Sequence, residues 1–248
     1  MKDESRSIDE LLEDGLNSLN FLGAENSRTR GLRQSKDLLQ KYIEEIERFN
    51  EAYGLVKVKG REELIIKHIL DSLAPLELVT QLPISKDTSI ADLGSGAGLP
   101  GIPLAICLPD TEFTLIERMG RRAGFLRNCV AVLGLSNVKV EETEMEKAEP
   151  GRFDAAVFRA FRPLTQDILK ELFRLLKPGG FLAAWKGRSE NSREEMIKAE
   201  KNLPRLKWEI HPLTVPFLEE ERHLIIIPHP CFQKTGAGAK GFGETPFP

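Results

Sequence analysis

Three glycines at alternate positions follow a short apolar run that contains an acid. The stretch reads Ser-Ile-Ala-Asp-Leu-Gly-Ser-Gly-Ala-Gly-Leu-Pro-Gly over residues 89–101. Because glycine has no Cβ, such a loop can adopt positive φ and let a ligand approach the backbone, and a helix behind it offers unpaired N–H groups. The pattern predicts a strand, a tight ligand-binding loop at Gly94 and Gly96, and a helix.

The class of ligand depends on the acid, Asp92. Gly96, Gly98 and Gly101 also satisfy the Gly-x-Gly-x-x-Gly pattern of dinucleotide-binding loops. A carboxylate ahead of the first glycine of the loop, however, repels phosphates and attracts a cation. S-adenosylmethionine is cationic and has no phosphate, so we expect it to bind here with Asp92 as a contact. A dinucleotide loop and a purely structural glycine turn are the alternatives.

Two further acidic positions fall where the same cofactor would need them. Glu117 ends the second predicted strand, 23 residues after Gly94, near the spacing of ribose-binding carboxylates. We predict that Glu117 binds the ribose, and the alternative is a helix cap or an ion pair with Arg121. Met145 and Glu146 follow the third strand, where they would contact the adenine ring and its amino group; a plain acidic loop is the alternative there.

The segment Arg-Ala-Phe-Arg-Pro at 159–163 indicates which acceptor to expect. Methyl transfer is an in-line displacement that needs a positioned nucleophile. This segment lacks the amide that exocyclic amines require, the cysteine that pyrimidine carbon-5 requires, and any general base. It suits an acceptor with an available lone pair, such as guanine N7. Arg159 would position the acceptor or the cofactor and Phe161 would stack on a base, unless Arg159 simply pairs with Glu117 or Glu146.

Strands and helices alternate from Ile90 onward, which is the pattern of a parallel α/β sheet. A tight turn is predicted at 177–180 and a helix capping box at Ser192 and Glu195. The predicted strands cover about 89–93, 113–117, 138–141, 153–158 and 181–185, with a closing antiparallel pair at 208–215 and 223–227. The predicted helices upstream of them cover about 7–21, 35–53 and 61–74.

These elements suggest a division of the chain into three parts. Residues 1–84 are expected to form an N-terminal helical extension and cap, residues 85–230 the catalytic domain, and residues 231–248 a flexible glycine-rich tail. The upstream helices look too small to stand alone, so we expect them to pack against the domain that follows.

Composition narrows the class of protein further. The 248 residues include 41% hydrophobic ones and carry a net charge of −3. No apolar run is long enough for a membrane span, the N-terminus lacks a secretory signal, and the three cysteines have no metal-type spacing. We therefore expect a cytoplasmic protein without a metal or a membrane partner, in which any nucleic acid is met by a local basic patch.

Candidates for that patch lie near the predicted carboxyl ends of strands. If they converge on one rim they would contact phosphates, and if they are scattered they are ordinary surface charges. His68 shares a helix face with Asp71, and a hydrogen bond at the edge of the helical layer is the alternative to a role in binding. The basic candidates are Arg121, Arg122, Arg162, Lys186 and Arg222.

Six motifs together resemble the bacterial 16S ribosomal RNA guanine-N7 methyltransferase family, also called glucose-inhibited division protein B. They are HILDSL, DLGSGAGLPGIPLAI, TLIERMGRRAGFLRN, FDAAVFRAF, WKGR and ERHLIII, in collinear order over about residues 36–228. The resemblance implies a Rossmann-like class I methyltransferase with a mostly parallel seven-stranded sheet and a small N-terminal helical cap. It also implies a guanosine substrate in the small-subunit RNA near the decoding site.

The resemblance also carries roles to particular positions. By motif, the cofactor contacts would be Gly94, Leu99, Met145, Glu146 and Arg159. His68, Asp71 and Ser72 would support the site from the cap. One departure is Glu117, which stands where the family commonly has aspartate and so has a longer arm toward the ribose.

The resulting hypothesis is S-adenosylmethionine-dependent methylation of guanine N7 in 16S rRNA. We expect the 16S rRNA or the 30S subunit as the partner, a monomeric protein, and Arg159 as a positioning residue without a general base. A small-molecule methyltransferase, marked by an enclosed pocket over Gly94, and a non-catalytic nucleotide-binding protein are the alternatives.

Overall fold

The structure is a computed structural model that describes residues 8–19, 29–81, 88–160 and 162–230. Within these residues, seven strands form one sheet in the order β3-β2-β1-β4-β5-β7-β6. The strands are β1 (Ser89–Leu93), β2 (Glu112–Glu117), β3 (Val138–Glu142), β4 (Phe153–Arg159), β5 (Leu176–Lys186), β6 (Glu209–Leu213) and β7 (Arg222–Pro228).

Helices precede the sheet and connect most of its strands. They are α1 (Ile8–Ser18), α2 (Leu32–Tyr53), α3 (Arg61–Leu64), α4 (Asp71–Leu73), α5 (Leu76–Gln81), α6 (Gly101–Cys107), α7 (Gly120–Leu133), α8 (Gln166–Leu175) and α9 (Ser189–Asn202). A π-helical segment, Ile65–Leu70, joins α3 to α4, and a short 3₁₀ turn covers Met145–Lys147. Among the described residues, no helix combines the length and the apolar character needed to cross a membrane.

Strand direction confirms the predicted α/β class. Strands β1 to β5 are parallel, and β7 pairs antiparallel with both β5 and β6. The chain runs from β1 outward to β3, then returns to pair β4 with the other side of β1. The neighbouring carboxyl ends of β1 and β4 therefore form a topological switch point, where open α/β sheets bind ligands.

Alternation along each strand gives the sheet two buried faces. On β1, Ile90 joins the apolar cluster formed with α1 to α7 and the π-helical segment, whereas Ala91 and Leu93 join the cluster formed with α8 and α9. Leu39 and Ile46 of α2 belong to the first cluster, and α2 contacts α6 and α7, so the upstream helices pack against the domain that follows, as expected. The predicted boundary at 84/85 falls within residues 82–87, which lie outside the described residues, and it stays a prediction.

One local prediction differs in its place relative to a strand, and another is wrong. The expected turn at 177–180 lies inside β5 as an irregularity, because Leu176 pairs with Phe153 before the regular register resumes at Phe181. The expected capping box is not at a helix start, since α9 begins at Ser189 and the buried Ser192 hydroxyl donates to the carbonyl of Arg188. The predicted tail at 231–248 lies outside the described residues.

Candidate active site

The glycine loop lies at the switch point and is fastened to the neighbouring strand. Gly94, Gly96 and Gly98 have φ values of +67°, +58° and +91°, in the left-handed region that favours glycine. The N–H groups of Gly94 and Ser95 both donate to the carbonyl of Ile116, at 2.9 and 3.2 Å. Gly94 is exposed, so its backbone is accessible to a ligand.

Asp92 lies beneath this loop, fully buried on the face that carries α2 and α6. Its Oδ2 accepts a hydrogen bond of 3.1 Å from the N–H of Gly101, at the start of α6. Its Oδ1 is buried without a hydrogen-bond partner among the described residues. Burial raises the pKa of Asp92 to about 7, despite the hydrogen bond from Gly101. The carboxyl group is therefore able to change its charge near neutral pH.

Glu117 supports the same loop from the end of β2. Its Oε2 accepts from the N–H of Gly96 and its Oε1 from the N–H of Met119, each at 2.9 Å. The expected alternative partner, Arg121, instead lies over the ring of Tyr53, with its guanidinium carbon 5.6 Å from the ring centroid. Each carboxylate oxygen of Glu117 retains a lone pair beyond these bonds, so the group is able to accept further hydroxyl hydrogens.

The Met145–Glu146 pair lies on the 3₁₀ turn after β3. Met145 is buried, and the guanidinium of Arg174 donates to the carbonyls of Met145 and Glu146 at 3.0 and 3.1 Å. The exposed Glu146 carboxylate pairs with Arg162 at 2.7 Å. A hydrogen bond from its own backbone and the ion pair with Arg162 hold the pKa of Glu146 below its usual value. The turn is thus fixed by its backbone, and Glu146 stays ionised.

Arg159, at the end of β4, is held by the helical cap and by neither of the acids considered from sequence. Its Nη1 donates to Asp71 Oδ2 at 2.8 Å and to the carbonyl of Lys67 at 3.1 Å. Its Nη2 lies 2.6 Å from His68 Nδ1, which must be the acceptor because guanidinium nitrogens only donate. Burial, followed by the charge of Arg159, lowers the pKa of His68 to about 4. His68 is therefore neutral at physiological pH.

A second arginine joins this cluster from β7. Arg222 Nε lies 3.2 Å from Asp71 Oδ1, an ion pair without hydrogen-bond geometry. The buried Asp71 is thereby shared between two guanidinium groups, and its carbonyl accepts from the Trp185 indole at 3.1 Å. Immediately after Arg159, Ala160 has a φ of +49°, which is uncommon for a residue with a Cβ and marks local backbone strain at the site. Phe161, the predicted stacking residue, lies outside the described residues.

The basic candidates all lie at the carboxyl edge of the parallel strands. Arg121 and Arg122 follow β2, Arg162 follows β4, and Lys186 ends β5. Arg222 begins the antiparallel β7, where its neighbour His223 pairs with Lys186.

Most of these side chains have partners within the molecule. Lys186 Nζ lies 2.7 Å from Glu195 Oε2, which gives Glu195 a role other than helix capping. A Cβ on Gly96 would lie 3.9 Å from an Arg122 nitrogen, so Arg122 reaches the glycine loop. Arg162 and Arg222 take part in the ion pairs already described. The edge is basic, but RNA would have to compete with these acids for several of the side chains.

Sequence reasoning missed Tyr42, which sits in the apolar stripe of α2. Its buried hydroxyl donates a 2.6 Å hydrogen bond to the carbonyl of Ala97, in the glycine loop. The helical cap therefore braces the loop directly as well as holding Arg159. Periodicity identified Tyr42 only as a core residue, and no pattern in the chain linked it to a loop 55 positions away.

Comparison with known proteins gives the family. The family model for rRNA small subunit methyltransferase G matches residues 35–225. Proteins named ribosomal RNA small subunit methyltransferase G from Treponema denticola and Stenotrophomonas maltophilia are 41% and 40% identical, over 78% and 77% of this chain and 86% of each relative.

Solved structures support the fold alone. A putative S-adenosyl-L-methionine-dependent methyltransferase from Methanococcus maripaludis aligns with a TM-score of 0.54 and 16% identity, covering 76% of this chain and 92% of that one. A SAM-dependent O-methyltransferase from Thermotoga maritima aligns with a TM-score of 0.51 and 17% identity, covering 78% and 72%. The Rossmann-like methyltransferase architecture extends to both.

Proposed function

Because this chain belongs to the rRNA small subunit methyltransferase G family, we propose that it transfers a methyl group from S-adenosylmethionine to N7 of one guanosine in 16S rRNA. The site at the β1–β4 switch point is the observation that carries the proposal. There, an accessible glycine loop lies between two acids. Asp92 is buried with one oxygen unpaired, and the Glu117 carboxylate can accept further hydrogen bonds.

The residues at this edge suit a cationic, phosphate-free cofactor. Glu117 would accept the ribose hydroxyls, and Met145 with Glu146 would contact the adenine. When ionised, Asp92 would provide negative charge beneath the loop through its unpaired Oδ1, and Gly94 and Leu99 would contact the cofactor from the loop itself. When bound, S-adenosylmethionine supplies an activated methyl group on a positively charged sulfur.

Arg159 would orient the acceptor rather than take a proton from it. Guanine N7 carries a lone pair and no hydrogen, so the attack requires alignment and no general base. Asp71 and the Lys67 carbonyl hold the guanidinium of Arg159 in one orientation. His68 accepts from Arg159 and is neutral, which suits a supporting role.

The partner and its location extend this proposal. The RNA would approach the basic edge formed by the ends of β2, β4 and β5, with the 30S subunit or its precursor as the particle that carries it. A cytoplasmic site of action follows from that substrate, and we expect the protein to act as a monomer.

Calorimetric titration with S-adenosylmethionine and NAD tests the cofactor class. We expect the methyl donor to bind and NAD not to bind. Transfer of a radiolabelled methyl group to 16S rRNA, with 23S rRNA as the control, then tests the reaction. Binding of NAD alone would favour a nucleotide-binding protein on this fold, and transfer to a small molecule but not to RNA would favour the other alternative.

Substitution of Gly94 makes the titration specific for the loop. Gly94→Asp places a carboxylate in the space of the methyl donor, so we expect about a 100-fold loss of affinity, roughly 2.7 kcal/mol. Gly94→Ala imposes at least as much strain at positive φ without the bulk or the charge, so it should lose less affinity even if its melting temperature falls as far. Equal affinities for the two variants would argue against a ligand over Gly94.

A further inference from the structure

An open groove lies beside the cap, away from the glycine loop. It has a volume of about 790 Å³ and runs between α3, the π-helical segment and residues 217–220, which precede β7. Ile66, Phe217 and Leu218 supply its apolar lining. A groove of this kind is large enough to take side chains of a binding partner.

The charge of the groove is opposite to that of the basic edge. Four glutamates line it, Glu62, Glu63, Glu219 and Glu220, against two lysines. Lys67 lies 3.1 Å from both Glu63 and Glu220, so it compensates part of that charge. The exposed Glu62 and Glu219 add further negative charge. Such a surface repels RNA phosphates and attracts a cationic ligand.

An aromatic residue projects at the same groove under backbone strain. Phe217 is 44% exposed and has a φ of +64°, a conformation that is an outlier for a bulky side chain. Strained residues cluster at binding sites and switch regions, where the surrounding structure maintains them. An exposed aromatic anchor with an acidic rim is suited to a peptide that carries an apolar residue among basic ones.

The groove is connected to the proposed acceptor site by two short links. Lys67, which carries the ion pairs of the groove, also supplies the carbonyl that Arg159 binds. Arg222 follows Glu220 by two residues and pairs with Asp71. A partner bound in the groove would therefore lie close to the RNA-facing edge without occupying it.

We propose that this groove docks a cationic segment of a ribosomal protein, with an apolar side chain placed against Phe217. The proposal rests on the proposed function, because that function brings the enzyme to RNA covered by proteins. Proteins that coat RNA are rich in Lys and Arg, since they must neutralise phosphates. The groove thus recognises the particle, while the basic edge engages the RNA.

The test uses the full chain and two kinds of measurement. Fluorescence anisotropy follows a labelled peptide of six lysines around one phenylalanine, a matched peptide with alanine in place of phenylalanine, and a single-stranded RNA of similar length. Methyl transfer is measured in parallel on 30S particles and on protein-free 16S rRNA. Melting temperatures establish that each variant is folded.

Three variants separate the groove from general charge effects. Glu62→Lys with Glu219→Lys reverses the rim, and Phe217→Gly removes the anchor at a φ that glycine adopts readily. Asp110→Lys with Glu149→Lys is the matched control, with exposed acids before β2 and β4 at the opposite edge of the sheet.

We expect both groove variants to bind the phenylalanine peptide about tenfold more weakly and to methylate 30S particles correspondingly more slowly. Protein-free rRNA should be methylated at the original rate, and the control variant should match the original protein. The proposal would be overturned if the groove variants lost methyl-transfer rate equally on 30S particles and on protein-free rRNA. It would also be overturned if RNA displaced the peptide from the groove, or if the variants bound the peptide as tightly as the unmodified protein does. If neither the unmodified protein nor any variant transferred a methyl group, the proposed function would be refuted. The peptide titration would still test whether the groove binds a cationic peptide.

Discussion

Burial gives the Asp92 carboxyl a higher pKa than an exposed aspartate has. Its position two residues ahead of Gly94 was evident from the sequence, and so was the preference of a carboxylate for a cation. The sequence contains no sign that the group lies wholly beneath the loop, bonds to Gly101 and keeps one oxygen unpaired. That environment raises its pKa to about 7, so its charge depends on whether a cation is nearby.

Proton release measures this coupling. A cationic ligand lowers the pKa of Asp92, so the complex holds fewer protons than the free protein and affinity rises as the pH increases through 7. We expect S-adenosylmethionine binding at pH 7 to release up to about half a proton, since a group with that pKa is about half protonated. Calorimetry in two buffers of different ionisation enthalpy gives the number directly.

Asp92→Asn is the matched control, because its amide oxygen can still accept from Gly101. The variant should bind more weakly and release no proton. Proton uptake, or the same release from the variant, would contradict a role for Asp92 in binding the cation.

Arg159 was identified from its place after β4, but its partner was not. The acids considered from sequence were Glu117 and Glu146, whereas the structure pairs Arg159 with Asp71 from a helix 88 positions earlier. Ion pairs between residues so far apart in the chain depend on how the helical cap packs against the following domain. No pattern in a single sequence identifies them.

Replacement of Arg159 by lysine tests orientation separately from charge. Lysine retains the positive charge but cannot hold Asp71, the Lys67 carbonyl and His68 together with one planar group. We expect Arg159→Lys to lower kcat by about 10- to 100-fold while S-adenosylmethionine affinity changes by less than about threefold. Arg222→Lys, which shares Asp71, should lose stability with a much smaller change in kcat. Parallel losses of turnover and stability in both variants would identify the cluster as structural.

Elements with regular patterns were predictable, and elements shaped by tertiary contacts were not. The strand at 89–93, the long helix α2 and the closing antiparallel pair follow from apolar periodicity, and each lies close to its predicted limits. The π-helical segment Ile65–Leu70 escaped prediction because its apolar residues fit an ordinary helix equally well. The start of β5 ahead of residues 177–180 was not predicted for a similar reason, since proline and glycine there indicate a turn whether or not strand residues precede it.

Gly101, where the glycine loop meets α6, has no room for a larger side chain. A Cβ on Gly101 would lie 2.5 Å from Asp92 Oδ2 and 2.6 Å from Leu115 Cδ2, and both neighbours are buried. Gly101→Ala should therefore lower the free energy of unfolding by about 1 to 3 kcal/mol, as other overpacked cores do. Urea denaturation measures the change.

Gly124 provides a matched control on the exposed side of α7. A Cβ there would meet nothing within 4 Å, so Gly124→Ala should leave stability unchanged or raise it by about 0.5 to 1 kcal/mol. If the two variants were equally stable, the close contact at Gly101 would not constrain the loop.

At the scale of the whole molecule, sheet order explains why distant motifs work together. Placing β4 beside β1 brings the loop of 94–98 next to Arg159, and the reversed β7 brings Arg222 to the same edge. A net charge of −3 is compatible with an RNA substrate because positive residues gather at this edge while acids line the groove on the cap. Apolar patterning predicted the order of the elements along the chain, and only the folded chain reveals that separation of charge.

Mapping the methylated atom tests the proposed activity most directly. After incubation of 16S rRNA or 30S particles with the protein and S-adenosylmethionine, borohydride reduction and aniline cleave the chain only where guanine N7 carries a methyl group. We expect cleavage at one guanosine, dependent on both the protein and the methyl donor, and greatly reduced with Gly94→Asp. Methyl incorporation without cleavage, or cleavage at many guanosines, would contradict a site built to position one N7 acceptor.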